Sequence, residues 1–295
     1  DPAAITKFMR RVRKWDVVPG LVTVIGKGTG DQKDRMGSGD SFFPVRLTDN
    51  PWGLAPSDDR LLGGGADAPF AIGRLSITND AEGLRYVQKL ADYESSGPAA
   101  ERHAVAAADN RDEGGNFHVS SDVLAQRLLS EFGFSGVTKL YHPADAVSAN
   151  LADPSTWEAE YVSYSGHGSA FQLGNGSEDF MLATTAQTLT NAELPILTTL
   201  TCASGNDAIP GIRSIAGELV FSPNGVIAAI VSTGASLDAE AQTLGNALVD
   251  HLFDDAEPAT VGGALRAAKA DTSGSVQAFM ARIYTVLGEP GVRVR

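Results

Sequence analysis

The sequence predicts an α/β domain: a mostly parallel sheet flanked by helices on both faces. Three observations lead there. Apolar runs of strand length recur along the chain, segments of helical period lie between most of them, and 295 residues with 43% hydrophobic and 20% charged side chains supply a globular core. Strand, helix, strand as a repeating unit implies parallel pairing, because the crossover helices must cover the sheet.

The expected strands are Leu21 to Ile25, Pro69 to Ile72, Ala104 to Ala108, Val137 to Tyr141, Tyr161 to Tyr164, Ile196 to Leu200 and Val226 to Val231. A helix is expected over Ala81 to Tyr93, capped by Asn79 or Asp80, with Leu84, Val87 and Leu90 on its apolar face. A second is expected over Ser121 to Phe132, capped by Ser120 or Ser121 and packing through Val123, Leu124, Leu128 and Leu129. Residues Gly26 to Gly65 are rich in Gly, Asp, Pro and Ser and read as long ordered loops. The Ser-Ser-Gly-Pro break near Ser95 to Arg102 divides the chain into an N-terminal unit, 1–97, and a larger unit, 98–295.

A formal charge of −13 repels phosphates and disfavours nucleic acid as a partner, whereas a basic peptide would be attracted. The single cysteine, Cys202, excludes an internal disulfide framework and any multi-thiolate zinc site. It is therefore a core filler or a reactive thiol. No apolar run approaches the ~18 residues of a membrane span, and the N-terminus has no signal-peptide pattern.

Two strand ends carry the chemistry. Tyr161 to Ser165 runs into Gly166-His167-Gly168, which places a histidine where open α/β sheets hold their ligands, between glycines that admit close backbone approach. An ordinary tight turn explains that string equally well. Ile196 to Leu200 likewise ends in Thr201-Cys202-Ala203-Ser204-Gly205. Alone, Cys202 reads more readily as a buried small hydrophobe. If the strands are neighbours, ~4.8 Å apart, imidazole and thiol face one cleft, as a nucleophile and its base require.

These segments resemble, in order and spacing, the active-site region of the gingipain family of caspase-like cysteine peptidases. The resemblance rests on Ser163 to Ser169, Leu189 to Pro195 and Leu200 to Gly205, with support from Ala71-Ile72-Gly73-Arg74-Leu75, the helix ending in Tyr93-Glu94, and Val286-Leu287-Gly288-Glu289-Pro290, where Glu289 replaces an Asp. It implies a doubly wound caspase-like fold and a cysteine endopeptidase in which His167 is general base and acid and Cys202 is the nucleophile. It further implies an oxyanion hole from the N–H groups of Gly168 and Cys202, and a carboxylate orienting the histidine, at Asp109 or the alternative Asp112. Asp122, and as its rival Asp238, are the candidate acids for gripping a substrate Arg or Lys. Ala203 is a further substrate contact.

The resemblance also implies a peptide or protein substrate, a propeptide or missing N-terminal segment as partner, and an extracellular or cell-surface bacterial location. No membrane partner is expected. The family's upstream strand and helix are lacking, and Gly26-Lys27 stands where relatives have Gly-Asp. No cofactor is required for catalysis. The acids of Asp31 to Asp59 could hold structural calcium but lack the ligand spacing of a dedicated loop and read as solvated turns.

Four other readings compete for these residues. Gly26-Lys27-Gly28-Thr29-Gly30 lacks a phosphate-loop pattern and a following helix, and no Gly-x-Ser-x-Gly marks a serine hydrolase. An inactive scaffold would have no need of both His167 and Cys202. A transpeptidase would use the same dyad.

Overall fold

The computed structural model describes residues 1–64, 67–97, 101–175, 179–253 and 259–295. Gly65, at the end of the expected loop, and residues 98–100, within the expected break between units, lie outside them.

Twelve strands are formed among the described residues: β1 (Leu21–Ile25), β2 (Leu47–Asn50), β3 (Gly53–Pro56), β4 (Ala71–Leu75), β5 (His103–Ala108), β6 (Gly136–Tyr141), β7 (Tyr161–Ser165), β8 (Gln172–Gly174), β9 (Asp179–Leu182), β10 (Ile196–Leu200), β11 (Ala228–Ser232) and β12 (Tyr284–Leu287). The helices are α1 (Pro2–Val12), α2 (Asp58–Leu62), α3 (Asp80–Ser95), α4 (Phe117–Ser130), α5 (Val147–Ala152), α6 (Ala183–Ala186), α7 (Ile215–Phe221), α8 (Asp238–Leu252), α9 (Val261–Asp271) and α10 (Ala278–Ile283).

Eight strands form one sheet in the order β1-β4-β12-β11-β10-β7-β5-β6. Neighbours pair in parallel throughout, except that β12 runs antiparallel to β11. The α/β caspase-like architecture expected from the sequence is the one observed. Period-2 alternation sorts the central strands onto two cores. Ala104, Tyr161 and Ile196 pack with Leu124 and Leu128 of α4 and Leu244 and Leu248 of α8 on one face. Val105, Val162 and Leu197 pack with Leu151 of α5 and Leu219 of α7 on the other.

Several local expectations need correction. In α3, Leu84 and Val87 are 72% and 62% exposed, and the buried side is Glu82, Tyr86, Lys89 and Tyr93. The polar ends of that face are satisfied: Lys89 Nζ donates to the carbonyls of Val220, Ser222 and Val226, and Tyr86 OH to that of Ile227. The helix forms where expected, but of its expected apolar face only Leu90 is partly buried against the core, while Leu84 and Val87 face outward. Helix α4 begins at Phe117, a turn before Ser121, and Ser121 is buried inside it. The stretch expected as loops contains the β2–β3 hairpin and α2, short elements whose polar residues disguise them.

One buried fork fixes this N-terminal region to the sheet. Arg74 on β4 donates from Nε to Asp58 Oδ2 at 2.9 Å, from Nη2 to Asp58 Oδ1, and from Nη1 to the Gly26 carbonyl at 3.0 Å. Nearby, Lys27 pairs with Asp40 and Lys269 with Asp59. Asp31 and Asp34 accept main-chain N–H groups of their own turn. Those carboxylates of the 31–59 stretch are thus engaged within the protein, and among the described residues no three His, Cys, Asp or Glu side chains converge as metal ligands.

Candidate active site

Strands β5, β7 and β10 lie side by side, with Ala108 opposite Ser165 and Ser165 opposite Leu200. Asp109 follows its strand by one residue, His167 and Cys202 by two each, so all three leave the sheet at one carboxyl edge. Cys202 is partly exposed, and the side chain of His167 is 35% exposed. The edge is therefore open to solvent, and the sulfur is not sealed in hydrocarbon.

His167 is held from three sides. Its Nε2 hydrogen-bonds Asp112 Oδ2 at 2.7 Å, Phe117 stands edge-on to its ring at 5.5 Å, and its main-chain N–H donates to Asp109 Oδ2 at 3.3 Å. The expectation that Asp109 orients the imidazole is corrected on this geometry. Asp109 is 1% exposed and serves the backbone, its Oδ1 accepting from Asn110 N–H at 2.8 Å. The carboxylate on the ring is Asp112, carried there by a turn closed from Asp112 N–H to the Gly115 carbonyl at 3.1 Å. Burial opposes ionisation of Asp112, but the bonds from His167 and from the Gly114 and Gly115 N–H groups outweigh it and hold its pKa below the ordinary carboxylate value.

Cys202 is placed by the loop after β11. The Ser236 N–H donates to Sγ at 3.3 Å, and the Ser236 carbonyl and hydroxyl lie 3.8 Å from it. Among the described residues these are the sulfur's hydrogen-bond contacts, and none of them is His167. Ala203, the expected substrate contact, adopts a left-handed φ of 53° and donates its N–H to the Gly234 carbonyl at 2.9 Å, which turns the chain sharply after the sulfur. Ser236 carries no motif, and nothing in the sequence marked it.

Gly168 packs against the residue before the cysteine: a Cβ there would lie 2.6 Å from Thr201 Oγ1. Among the described residues no acceptor takes the N–H of Gly168 or of Cys202. Those two donors are available to an oxyanion.

The two candidate specificity acids separate. Asp122 lies in the second turn of α4, because the helix starts earlier than its sequence suggested. Its carboxylate is exposed on the outer strand β6, accepting from Lys139 Nζ at 2.6 Å and Tyr141 OH at 3.1 Å. Its carboxylate is thus engaged with β6 and makes no contact with His167 among its hydrogen bonds. Asp238 opens α8 and is half-buried beside the histidine loop, where a Cβ on Gly115 would come within 2.3 Å of its Oδ2. Gln242 Nε2 donates to Asp238 Oδ1 at 3.2 Å and to Ser165 Oγ at 2.6 Å. Burial raises the pKa of Asp238, Gln242 opposes the shift, neighbouring Asp112 adds to it, and His167 opposes it.

The family model of peptidase family C25 matches residues 1–295. The chain belongs to peptidase family C25. It is a cysteine-type peptidase, and the fold of this C25 chain recurs in solved structures. The Arg-specific cysteine proteinase gingipain R (RgpB) is 21% identical, with 99% of this chain and 68% of that chain covered at a TM-score of 0.78. The complex of Porphyromonas gingivalis RgpB pro- and mature domains is also 21% identical, covering 99% and 70% at 0.79. More distantly, the Saccharomyces cerevisiae separase–securin complex is 10% identical over 74% of this chain and 14% of that one, at 0.52. No curated protein matches the sequence. Among the described residues of this C25 domain, no helix is long and apolar enough to cross a membrane.

Proposed function

We propose that this C25 domain is an endopeptidase working through a His167–Cys202 dyad, with Asp112 orienting the base and Asp238 selecting a basic residue before the cleaved bond. The observation that carries the reading is the shared edge: both side chains follow paired Leu200 and Ser165 by the same two residues. With Nε2 committed to Asp112, Nδ1 is the nitrogen that serves the sulfur. It takes the thiol proton as Sγ attacks the substrate carbonyl, and the N–H groups of Gly168 and Cys202 receive the oxyanion. The imidazolium then protonates the leaving amine, and water, deprotonated by the same nitrogen, cleaves the thioester.

Substrate charge follows from the walls of the site. Asp112 and Asp238 are neighbouring carboxylates with no Arg or Lys among their ion-pair partners in the described residues. A substrate guanidinium or ammonium supplies that missing charge, and a guanidinium binds a carboxylate by two parallel bonds. By likeness to the complex of RgpB pro- and mature domains, a propeptide is a partner, and the family resemblance points to a location at the bacterial surface or exterior. No metal takes part in the proposed steps.

The deciding measurement is the iodoacetamide alkylation rate of Cys202 across pH, in wild type and His167→Ala. A dyad predicts markedly slower alkylation of the variant near neutral pH, because the thiolate is the reactive form. Equal rates would refute the pairing. Fluorogenic peptides differing only in the residue before the scissile bond then test Asp238: Arg and Lys peptides should be cut faster than Leu peptides, and by less in Asp238→Asn.

A further inference from the structure

A second cleft opens on the same edge of the sheet, away from the dyad. It has a volume of about 620 Å³ between α1, α2 and α10, and Arg10, Arg13, Arg46, Arg60, Lys269 and Arg282 line it against two carboxylates, Asp59 and Asp67. Asp59 is already spent on Lys269 Nζ at 2.7 Å. Arg13 donates to the Gly63 carbonyl and Arg46 to Thr6 Oγ1 at 3.1 Å, which fixes the guanidinium groups without neutralising them. Among the described residues, none of these five arginines has a carboxylate at ion-pair distance. Other arginines of the described residues, Arg85 and Arg111 among them, also lack such a partner; what distinguishes this cleft is that five of them line one cavity. In a protein of formal charge −13, unpaired cations gathered around one cleft raise the local potential and select an anion.

The sheet register locates the cleft relative to the dyad. Leu200 is level with Ser232, Ser232 with Tyr284, and the start of β12 with the start of β4. Arg282 lies two residues before β12, and the lining residue Ala68 three before β4. Counting strands from β10 to β4 at ~4.8 Å each puts the cleft on the order of 15 Å from Cys202 along the edge, a distance spanned by ~4 to 5 extended residues. A peptide lying across the edge reaches both.

We propose that this cleft is an exosite for a carboxylate-rich segment of a protein substrate. The arginines come from four separate segments, around Arg10 and Arg13, Arg46, Arg60 and Arg282, and so line the cleft from several walls. Carboxylates spaced along a peptide match that layout, each able to take a guanidinium fork. The substrate role rests on the peptidase reading; the binding does not.

The binding test uses Cys202→Ala protein and fluorescein-labelled hexaglutamate, with hexaglutamine as control. Hexaglutamate should bind at least tenfold more tightly, lose affinity as NaCl is raised, and lose its advantage in Arg46→Gln/Arg282→Gln and, in part, in the exposed single variant Arg10→Gln, with circular dichroism unchanged. Equal binding of the two peptides, or binding indifferent to these substitutions, overturns the exosite whether or not any peptide is cleaved. Displacement by pyrophosphate at far lower concentration than by unlabelled hexaglutamate overturns it in favour of a phosphate site. In active enzyme, a substrate carrying the glutamate stretch should show a KM at least tenfold below its glutamine counterpart, and an equal KM would overturn the substrate role.

Discussion

His167 meets Asp112 at 2.7 Å through Nε2, while the more deeply buried Asp109 touches His167 only through its main-chain N–H. Two acids of one turn therefore divide the work: Asp112 sets the ring, and Asp109 sets the strand end that carries it. Asp112→Asn should lower kcat/KM by about 10²-fold or more, within the range for a compromised acid–base group, with little change in unfolding. Asp109→Asn should do the reverse, costing stability in a urea titration and less than about tenfold in kcat/KM. A larger kinetic loss from Asp109→Asn would reassign the orienting role.

Gly168 is tight because its neighbour strand leaves no room. A methyl there must displace Thr201, whose Oγ1 would be 2.6 Å away, and Thr201 precedes Cys202, the proposed nucleophile. Gly168→Ala should reduce kcat by about 10²- to 10³-fold, the usual loss when an oxyanion donor is misplaced. Adding Thr201→Ala removes the clashing atoms and should restore part of it. A double variant no better than the single one would show that Gly168 is needed for some other reason.

Stability away from the site depends on the Arg74 fork. Arg74→Ala leaves the buried carboxylate of Asp58 without its partner and removes the donor to the Gly26 carbonyl. The expected loss is about 3 to 5 kcal/mol in chemical unfolding. Arg74→Lys should recover only a fraction, because an ammonium cannot make the two-pronged contact.

Seven of the eight strands of the sheet were legible in the sequence because they are apolar runs of 4 to 6 residues mostly alternating with helices, β1 and β10 falling on their expected residues; β12, the strand that runs against β11, was not expected. The two strand ends bearing His167 and Cys202 were legible for the same reason. What escaped was whatever depends on three dimensions. Helix α3 buries a lysine and two tyrosines whose polar tips find carbonyl partners, so hydropathy pointed to the wrong face. The donor to the sulfur is a main-chain N–H at Ser236, which any residue but proline would supply. The choice between Asp109 and Asp112 turned on a loop closed by Gly115, and spacing alone gives no account of such a turn.

The proposed role of Asp238 in substrate choice also bears on stability. Its pKa is raised in the folded protein, by burial first and with Asp112 adding, so the unfolded chain releases this proton at lower pH than the folded one. Below its unfolded pKa both states are protonated and the group costs nothing. As pH climbs through that value and then the folded one, the folded state falls behind and stays behind. Asp238→Asn should therefore unfold at higher urea concentration than wild type at pH 7, and the difference should vanish below about pH 4, near the ordinary carboxylate value. The same variant should lose kcat/KM on Arg and Lys peptides while leaving Leu peptides nearly unchanged. A stability gain with a basic-substrate loss is the signature of a carboxylate kept half-buried to receive a cation. If Asp238→Asn is less stable than wild type at pH 7, the carboxylate is already paired in the free enzyme and its place in the specificity pocket is refuted.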